Sequence, residues 1–377
     1  MAELDQITVA THRLIRSQPK LVDLIFQQGP TVAYAKQNLR EDYDGGRLIG
    51  ENFYYGALPG GSYAKGKSFN IAQPQVEQQL QFLPKFFEVA VTLYKEDIQV
   101  INRGPAAALK LIDSRVNNAF MTIGAFLEIG MFLNGQTAGF QTNFNGLAEA
   151  LNDNITPSFD GNTYPTYGTI TRGGSVGTAL NSAPFAVNGS LEYNVLEEQY
   201  GNASFGALEP NLGVTTALGY SFIKEHFQTQ QRFNDTQDPA IGFRGMKFND
   251  ATLIKSRYCP GSYLLGGTPA GTSDPVAVGY LSESSSPGGG GPGTVTAYPV
   301  GLLSNPTTPV SYGETLWWLN ARKPFMNFYM SPDPEYSFGL TGFIPGQGNT
   351  IVVAKLLYAG AITFAPRYHR QLYNFTS

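Results

Sequence analysis

The chain has 377 residues, enough to bury a large core and to form two domains. A net charge of −4 excludes a protein that coats nucleic acid by charge alone, and only 14% of residues are charged, against ~25% in a typical globular protein. Aromatics at 13% and 43 glycines indicate much β-structure, many turns and much surface hidden from water, as in a subunit covered by neighbours or in a secreted β-protein.

Residues 1–40 read as an arm. Helical pattern occurs around His12–Ser17 and Pro19–Phe26, with Arg13, Arg16 and Lys20 on a basic face. Such a segment is either a solvated helix or an arm laid on a neighbouring subunit or on packaged nucleic acid. Met1 is followed by Ala-Glu-Leu-Asp, without a basic or apolar leader pattern, so a soluble, non-exported protein is expected. Cys259 is the single thiol and cannot form an internal disulfide. No CxxC occurs, and His12, His226 and His369 share no ligand spacing, so neither metal nor cofactor is expected.

Residues 41–84 form a long two-stranded excursion. Asp44-Gly45-Gly46 is turn chemistry, Arg47–Tyr55 predicts a strand, and Ser68–Ala72 predicts its return. Between them lies a tip rich in glycine, with Lys65 and Lys67. The excursion has too little alternating apolar character to make a core of its own. It is a surface hairpin or a loop laid on an adjacent subunit. Asp42, Asp44, Gly45 and Glu51 fall at calcium-loop positions, but Arg40 occupies the first ligand position, so no calcium is expected.

Phe86–Tyr94 alternates as a strand, with Phe87, Val89, Val91 and Leu93 on one face. The spacing then predicts one long helix over Pro105–Asn134, about 45 Å at ~1.5 Å per residue. Leu109, Ile112, Val116, Ala119, Ile123, Phe126 and Gly130 share a face, and Asn134-Gly135 supplies a stop. Ala119–Leu133 is the most apolar run, but it contains Glu128 and is too short to span a membrane. A subunit that spans a large interface needs such a rod more than a compact enzyme domain does. A matching strand at Ile351–Phe364 suggests a helix-on-sheet domain closed by both ends of the chain, with residues 136–335 as an inserted second domain. Within it, Val214–Gln228 is the clearest helix, and Phe248–Ile254 and Leu316–Leu319 are short strands. Residues 260–313 contain a Ser/Pro/Gly run, Ser284–Gly293, and read as a surface insertion.

No complete catalytic constellation is evident. Gly288–Gly291 is not a phosphate loop, because no Gly-Lys-Ser/Thr follows it. Gly173-Gly174-Ser175-Val176-Gly177 fits a nucleophile elbow by letter but reads better as a turn between strands. Asp333 and Glu335 form an acid pair in principle; the flanking prolines favour a turn. Trp317 and Trp318 can stack a sugar, although in an alternating strand one is expected in the core and one at the rim.

Taken in serial order, these segments resemble the major capsid proteins of tailed bacteriophages, with the Hong Kong 97 fold. Gly45-Gly46-Arg47-Leu48-Ile49 resembles the entry to the extended E-loop of such proteins, and Pro105–Asn134 resembles their spine helix. Phe144–Leu151 resembles the opening of the axial domain. Pro210–Thr215, Gln231-Arg232-Phe233 and Gly242–Phe248 are similar to later axial segments, and Leu357–Thr363 to the last peripheral strand.

The resemblance implies an α+β fold in four parts. These are an N-terminal arm (1–40), an extended E-loop (41–84), a peripheral domain (85–135 and 336–377) and an axial domain (136–335). It implies a non-enzymatic subunit that assembles as hexamers and pentamers into an icosahedral shell around double-stranded DNA, in the virion, after assembly in the host cytoplasm. Scaffolding, portal and decoration proteins are the implied partners, with no membrane. Arg13, Arg16, Arg47, Tyr54, Tyr55, Lys65 and Lys67 are the expected intersubunit contacts. The alternatives are an encapsulin-type compartment, which shares the fold, and a β-rich carbohydrate-binding protein or glycosidase using Trp317, Trp318 and Asp333.

Overall fold

The computed structural model describes residues 29–43, 45–66, 74–94, 105–136, 143–228, 235–237, 244–256, 258–261, 278–280, 296–297, 313–341, 344–345 and 351–376. Helix α1 (Pro30–Asn38) carries Pro30 in its first turn, where a missing N–H costs nothing, and leads into β1 (Arg40–Asp42). Strands β2 (Ile49–Tyr54) and β3 (Glu77–Phe82) form an antiparallel hairpin in register from Ile49↔Phe82 to Tyr54↔Glu77. The expected return strand at Ser68–Ala72 lies outside the described residues, and the observed partner of β2 comes later in the chain. Its apolar pair, Leu80 and Phe82, is buried while Glu77–Gln79 are exposed, so only the root of the hairpin is anchored.

Strand β4 (Lys85–Tyr94) shows the alternation read from sequence: Phe87, Val91 and Leu93 are buried, and Glu88 and Thr92 exposed. The long helix α2 runs over Pro105–Phe132, a little short of the expected Asn134. Val116, Ala119, Phe120, Ile123 and Leu127 form its buried stripe, whereas Phe126 is only half-buried. From Leu127 to Asn134 every side chain is buried, because this end lies between two sheets.

The first sheet has six strands built on β18 (Ile351–Phe364). On one side β18 pairs with β4 from Ile351↔Tyr94 to Gly360↔Lys85. On the other it pairs with β15 (Met326–Met330), β16 (Ser337–Leu340) and β17 (Ile344–Pro345), and β1 adds to β15 in parallel. Helix α2 packs on β4 and β18.

The second sheet has seven strands in the order β7 (Phe185–Ser190), β19 (Arg370–Thr376), β14 (Glu314–Leu319), β8 (Leu212–Thr215), β11 (Ala251–Lys255), β10 (Arg244–Phe248), β9 (Asp235–Gln237). Helices α5 (Tyr193–Ala203) and α6 (Ala217–Gln228) cover one face, burying Leu196, Tyr200 and Ile223 against Phe248, Leu316 and Trp318. The opposite face, with Leu212, Val214, Trp317 and Leu319, joins the core around α2. Smaller elements are α3 (Leu147–Ala150), the β5–β6 pair (Thr166–Tyr167, Ile170–Thr171), α4 (Gly174–Thr178) and the β12–β13 pair (Val278–Tyr280, Thr296–Ala297).

Several local readings need correction. The helix expected from Val214 begins instead at Ala217. Residues 212–215 are the central strand β8, and the Thr216 hydroxyl caps the helix by accepting from Gly219 N at 2.9 Å. The strand expected over Phe248–Ile254 is the β10–β11 hairpin, turned at Asn249, whose φ of 48° suits a short polar side chain. The turn expected at Gly173–Gly177 contains helix α4, entered through Gly173 at φ 127°. The expected boundary at 335/336 is crossed twice: β15 joins the first sheet and β19 the second.

Candidate functional site

Strand β14 decides the fate of the tryptophans. Every residue from Glu314 to Leu319 is buried, since the strand is central and covered on both faces. Trp317 meets Phe132 and Phe159, with ring centroids 5.7 and 5.6 Å away, while Trp318 meets Tyr200 and Phe248 at 5.3 and 5.2 Å on the other face. Neither is a rim residue, and neither indole is open to a sugar. Asp333 and Glu335 are exposed on a turn in which Glu335 N donates to Asp333 Oδ1 at 2.9 Å.

Ser175 is exposed on α4. His369, the one histidine whose side chain is described, is fully buried. Its Nδ1 accepts from Asn320 N at 3.1 Å, which leaves Nε2–H to donate to Phe325 O at 3.0 Å. A nucleophile–base pair is therefore not assembled from these residues. The Cys259 thiol is buried and pushed far up by desolvation, which suits an inert core residue. Of the calcium-loop positions, Asp42 pairs with Arg40 and Glu51 turns to the first sheet, while Asp44 lies outside the described residues.

Burial pushes the His369 imidazole pKa down to about 4. Above pH 6.5 the ring is neutral folded or unfolded, and its full contribution to stability is present. Between 6.5 and 4 only the unfolded chain takes up the proton, so stability falls as pH falls. Between pH 7.5 and 4.5 urea unfolding should show the wild type losing about 2–3 kcal/mol more than His369→Gln. Parallel losses would refute this assignment.

Besides Glu314 on β14, three carboxyls are buried among the described residues, and their bonds tie distant segments together. Glu128 accepts from Thr31 N at 3.2 Å, Val32 N at 2.8 Å and Ser256 Oγ at 2.8 Å, so one side chain of α2 holds the start of α1 and the end of β11. Desolvation raises its pKa. Glu149 accepts from Gly135 N at 3.1 Å and from Asn145 Nδ2 at 2.9 Å, and Asp160 accepts from the Tyr164 hydroxyl; burial raises both. Arg172, its pKa lowered to about 10 by burial, donates to the carbonyls of Glu149, Ala150, Asn152 and Leu180, and so ties the segment after α2 to α4.

The outward feature is the hairpin. Tyr54 is 73% exposed, Leu58 68% and Tyr63 64%. Arg47 and Lys65 are exposed beside them, while Tyr55 is half-buried. Arg13, Arg16 and Lys67 lie outside the described residues. Glu51 stood out in sequence only as a calcium-loop position, and nothing there marked its bonds to Asn327, Tyr329 and Thr363. Glu128 stood out only by its charge within an apolar run.

No protein-family model matches the chain, and no curated protein matches it in sequence. Its fold is nonetheless known. The capsid asymmetric unit of cyanophage A-1(L) aligns over 93% of this chain and 93% of its own, with a TM-score of 0.60 at 9% identity. The native GTA particle capsid aligns over 91% of each chain, with a TM-score of 0.52 at 7% identity. The SrpI encapsulin of Synechococcus elongatus PCC 7942 aligns over 91% of this chain and 87% of its own, at 0.51 and 7%. The chain thus has the α+β Hong Kong 97-type fold of shell-forming proteins. No helix among the described residues is long and apolar enough to cross a membrane.

Proposed function

We propose that this chain is the major capsid protein of a tailed bacteriophage. On this reading it self-assembles as hexamers and pentamers into an icosahedral shell enclosing the DNA genome, and has no enzymatic activity. The observation that carries the reading is the hairpin on a shell-forming fold. Its root alone is packed, and Tyr54, Leu58 and Tyr63 stand in water on an isolated chain. Exposed apolar surface of this kind marks an interaction site. In a closed shell each subunit meets several neighbours through repeated heterologous contacts, and an arm that reaches a second neighbour adds stability through multivalency.

Residues 1–40 are the N-terminal arm, whose end, α1, packs into the core, 41–84 the extended loop, which begins at β1 of the first sheet, 85–135 and 336–377 the body of the peripheral domain, and 136–335 the axial domain, with β15 and β19 exchanged between the two. Arg13, Arg16, Arg47, Tyr54, Tyr55, Lys65 and Lys67 make intersubunit contacts. Residues 260–313 are an insertion on the outer face of the shell. The virion is the site of action, and double-stranded DNA is enclosed without sequence-specific binding. Scaffolding, portal and decoration proteins are the partners of assembly.

The purified chain should sediment as rings or shells. Deleting Pro59–Lys67 should leave the subunit folded, because its described residues are exposed apart from a half-buried Pro59, yet abolish closed shells in electron micrographs. A sharp monomer peak for the wild type at high concentration, or unfolding of the deletion variant, would refute the reading. The likeness to an encapsulin favours a second reading, a protein compartment that holds cargo protein. Shells filled with double-stranded DNA in infected cells support the phage reading, and small DNA-free shells support the other.

A further inference from the structure

The hairpin meets the subunit body through three kinds of contact, one of them a backbone bond in which Gln81 N donates to Gly168 O at 2.9 Å. Ile49, Leu80 and Phe82 pack into it, Phe82 edge-on to Tyr167 with centroids 5.3 Å apart. The side-chain polar contact converges on one atom. Oε1 of Glu51 accepts from Asn327 Nδ2 at 2.7 Å, the Tyr329 hydroxyl at 2.6 Å and the Thr363 hydroxyl at 2.9 Å. Asn327 and Tyr329 stand two apart on β15, and Thr363 is the register partner of Asn327 on β18. The three donors therefore form a fixed triangle on one face of the first sheet. Glu51 is the only charged residue of β2. Hydrogen bonds to an ionised acceptor are roughly twice as strong as neutral ones.

Beside this contact lies a cavity of about 220 Å³. Phe53 and Leu80 wall it on the hairpin side, and Leu180, Phe325 and Phe364 on the body side. This mostly apolar pocket opens to solvent and leaves unfilled space beside the root. The hairpin is also a long lever. At ~3.3 Å per residue Ser62, in its outer part, lies at most about 35 Å from Glu51, so a tilt of about 10° at the root moves it by up to about 6 Å.

We propose that Glu51 is the positioning residue that sets the direction in which the hairpin leaves the subunit, and that the adjoining cavity is the room into which the root tips when its bonds are lost. The consequence for shell geometry rests on the capsid reading; the clamp itself does not.

Spin labels on Ser62→Cys and on Thr92→Cys, an exposed position of β4, report the tip-to-sheet distance. Labelled chain is diluted with unlabelled chain so that only intramolecular pairs are read. Cys259 is buried and does not take the label. Wild type should give one narrow distance peak. Glu51→Ala should raise the population outside that peak roughly tenfold, which corresponds to a net loss of ~1.4 kcal/mol, about that of one hydrogen bond to a charged group. Adding Ala179→Leu, which places bulk in the cavity, should restore the narrow peak. If Glu51→Ala does not fold, Tyr329→Phe with Thr363→Val removes two of the donors and must broaden the peak as well.

A Glu51→Ala distribution identical to wild type would overturn the clamp. Broadening that Ala179→Leu leaves unchanged would overturn the role of the cavity. Shell formation by the wild type is read separately by sedimentation. A chain that never assembles but shows the tilt refutes the capsid reading and leaves the clamp standing.

Discussion

Trp318→Ala should destabilise the subunit by roughly 3–5 kcal/mol, and Trp317→Ala by a similar amount, as large-to-small changes of fully buried aromatics do. Each indole is completely inaccessible, and each belongs to a different core, one against α2 and one under α5 and α6. The cost comes from lost apolar transfer and from a hole that rigid neighbours on both sides cannot fill. Urea unfolding of the unassembled subunit measures it. Phe at either position keeps most of the contact area and should cost clearly less. A loss below about 1 kcal/mol for both alanine variants would mean that β14 is not covered on both faces. The same burial predicts no carbohydrate affinity at this pair, which a titration with oligosaccharides tests directly.

Glu128→Ala should cost a comparable amount, roughly 3–5 kcal/mol, because it orphans two backbone N–H groups and a hydroxyl around a fully buried side chain, at ~1–3 kcal/mol each. Its pKa is raised in the folded chain, so the sign of the pH dependence is set. The folded state holds its proton at pH values where the unfolded state has released it. The contribution is fully present at low pH and is lost as pH rises from the ordinary carboxyl range through the raised value. Glu128→Gln removes this titration and should flatten that part of the profile, with Glu149 and Asp160 still contributing slopes of the same sign. Hydrogen exchange should show Thr31–Leu39 opening first in the alanine variant. Unchanged protection there would show that α1 is held by other means. Gly29 belongs to the same contact: a Cβ there would sit 2.9 Å from Glu128 Oε2, so a larger residue should loosen α1 as well.

What the sequence disclosed follows a physical division. Helix α2 and strands β4, β14 and β18 are long or strongly patterned, and each is written in consecutive residues. The partner of β2 was misplaced because pairing depends on residues far along the chain. Gln-Gln-Leu-Gln-Phe has a weak alternation until Ile49 and the β5–β6 turn cover Leu80 and Phe82. The exchange of β15 and β19 between sheets is likewise invisible locally, since both have ordinary strand composition. The two tryptophans were misjudged because alternation presumes one wet face, and β14 has none. Glu51, Glu128 and Arg172 are single polar residues whose donors or acceptors lie up to 312 positions away, and no spacing rule reaches them.

The exchange of strands has a kinetic consequence. Strand β19 sits between β7 and β14, and β18 between β4 and β15, so residues 351–376 complete both sheets at once. Their partners begin at Lys85 and Phe185, which makes the contacts among the most non-local in the chain. Loop-closure entropy delays such pairings, and a polypeptide still emerging from the ribosome cannot make them at all. Neither sheet can then close before residues 351–376 have been made. A chain still short of these strands would lack the surface on which another copy could dock, so polymerisation would be deferred until translation has passed residue 376.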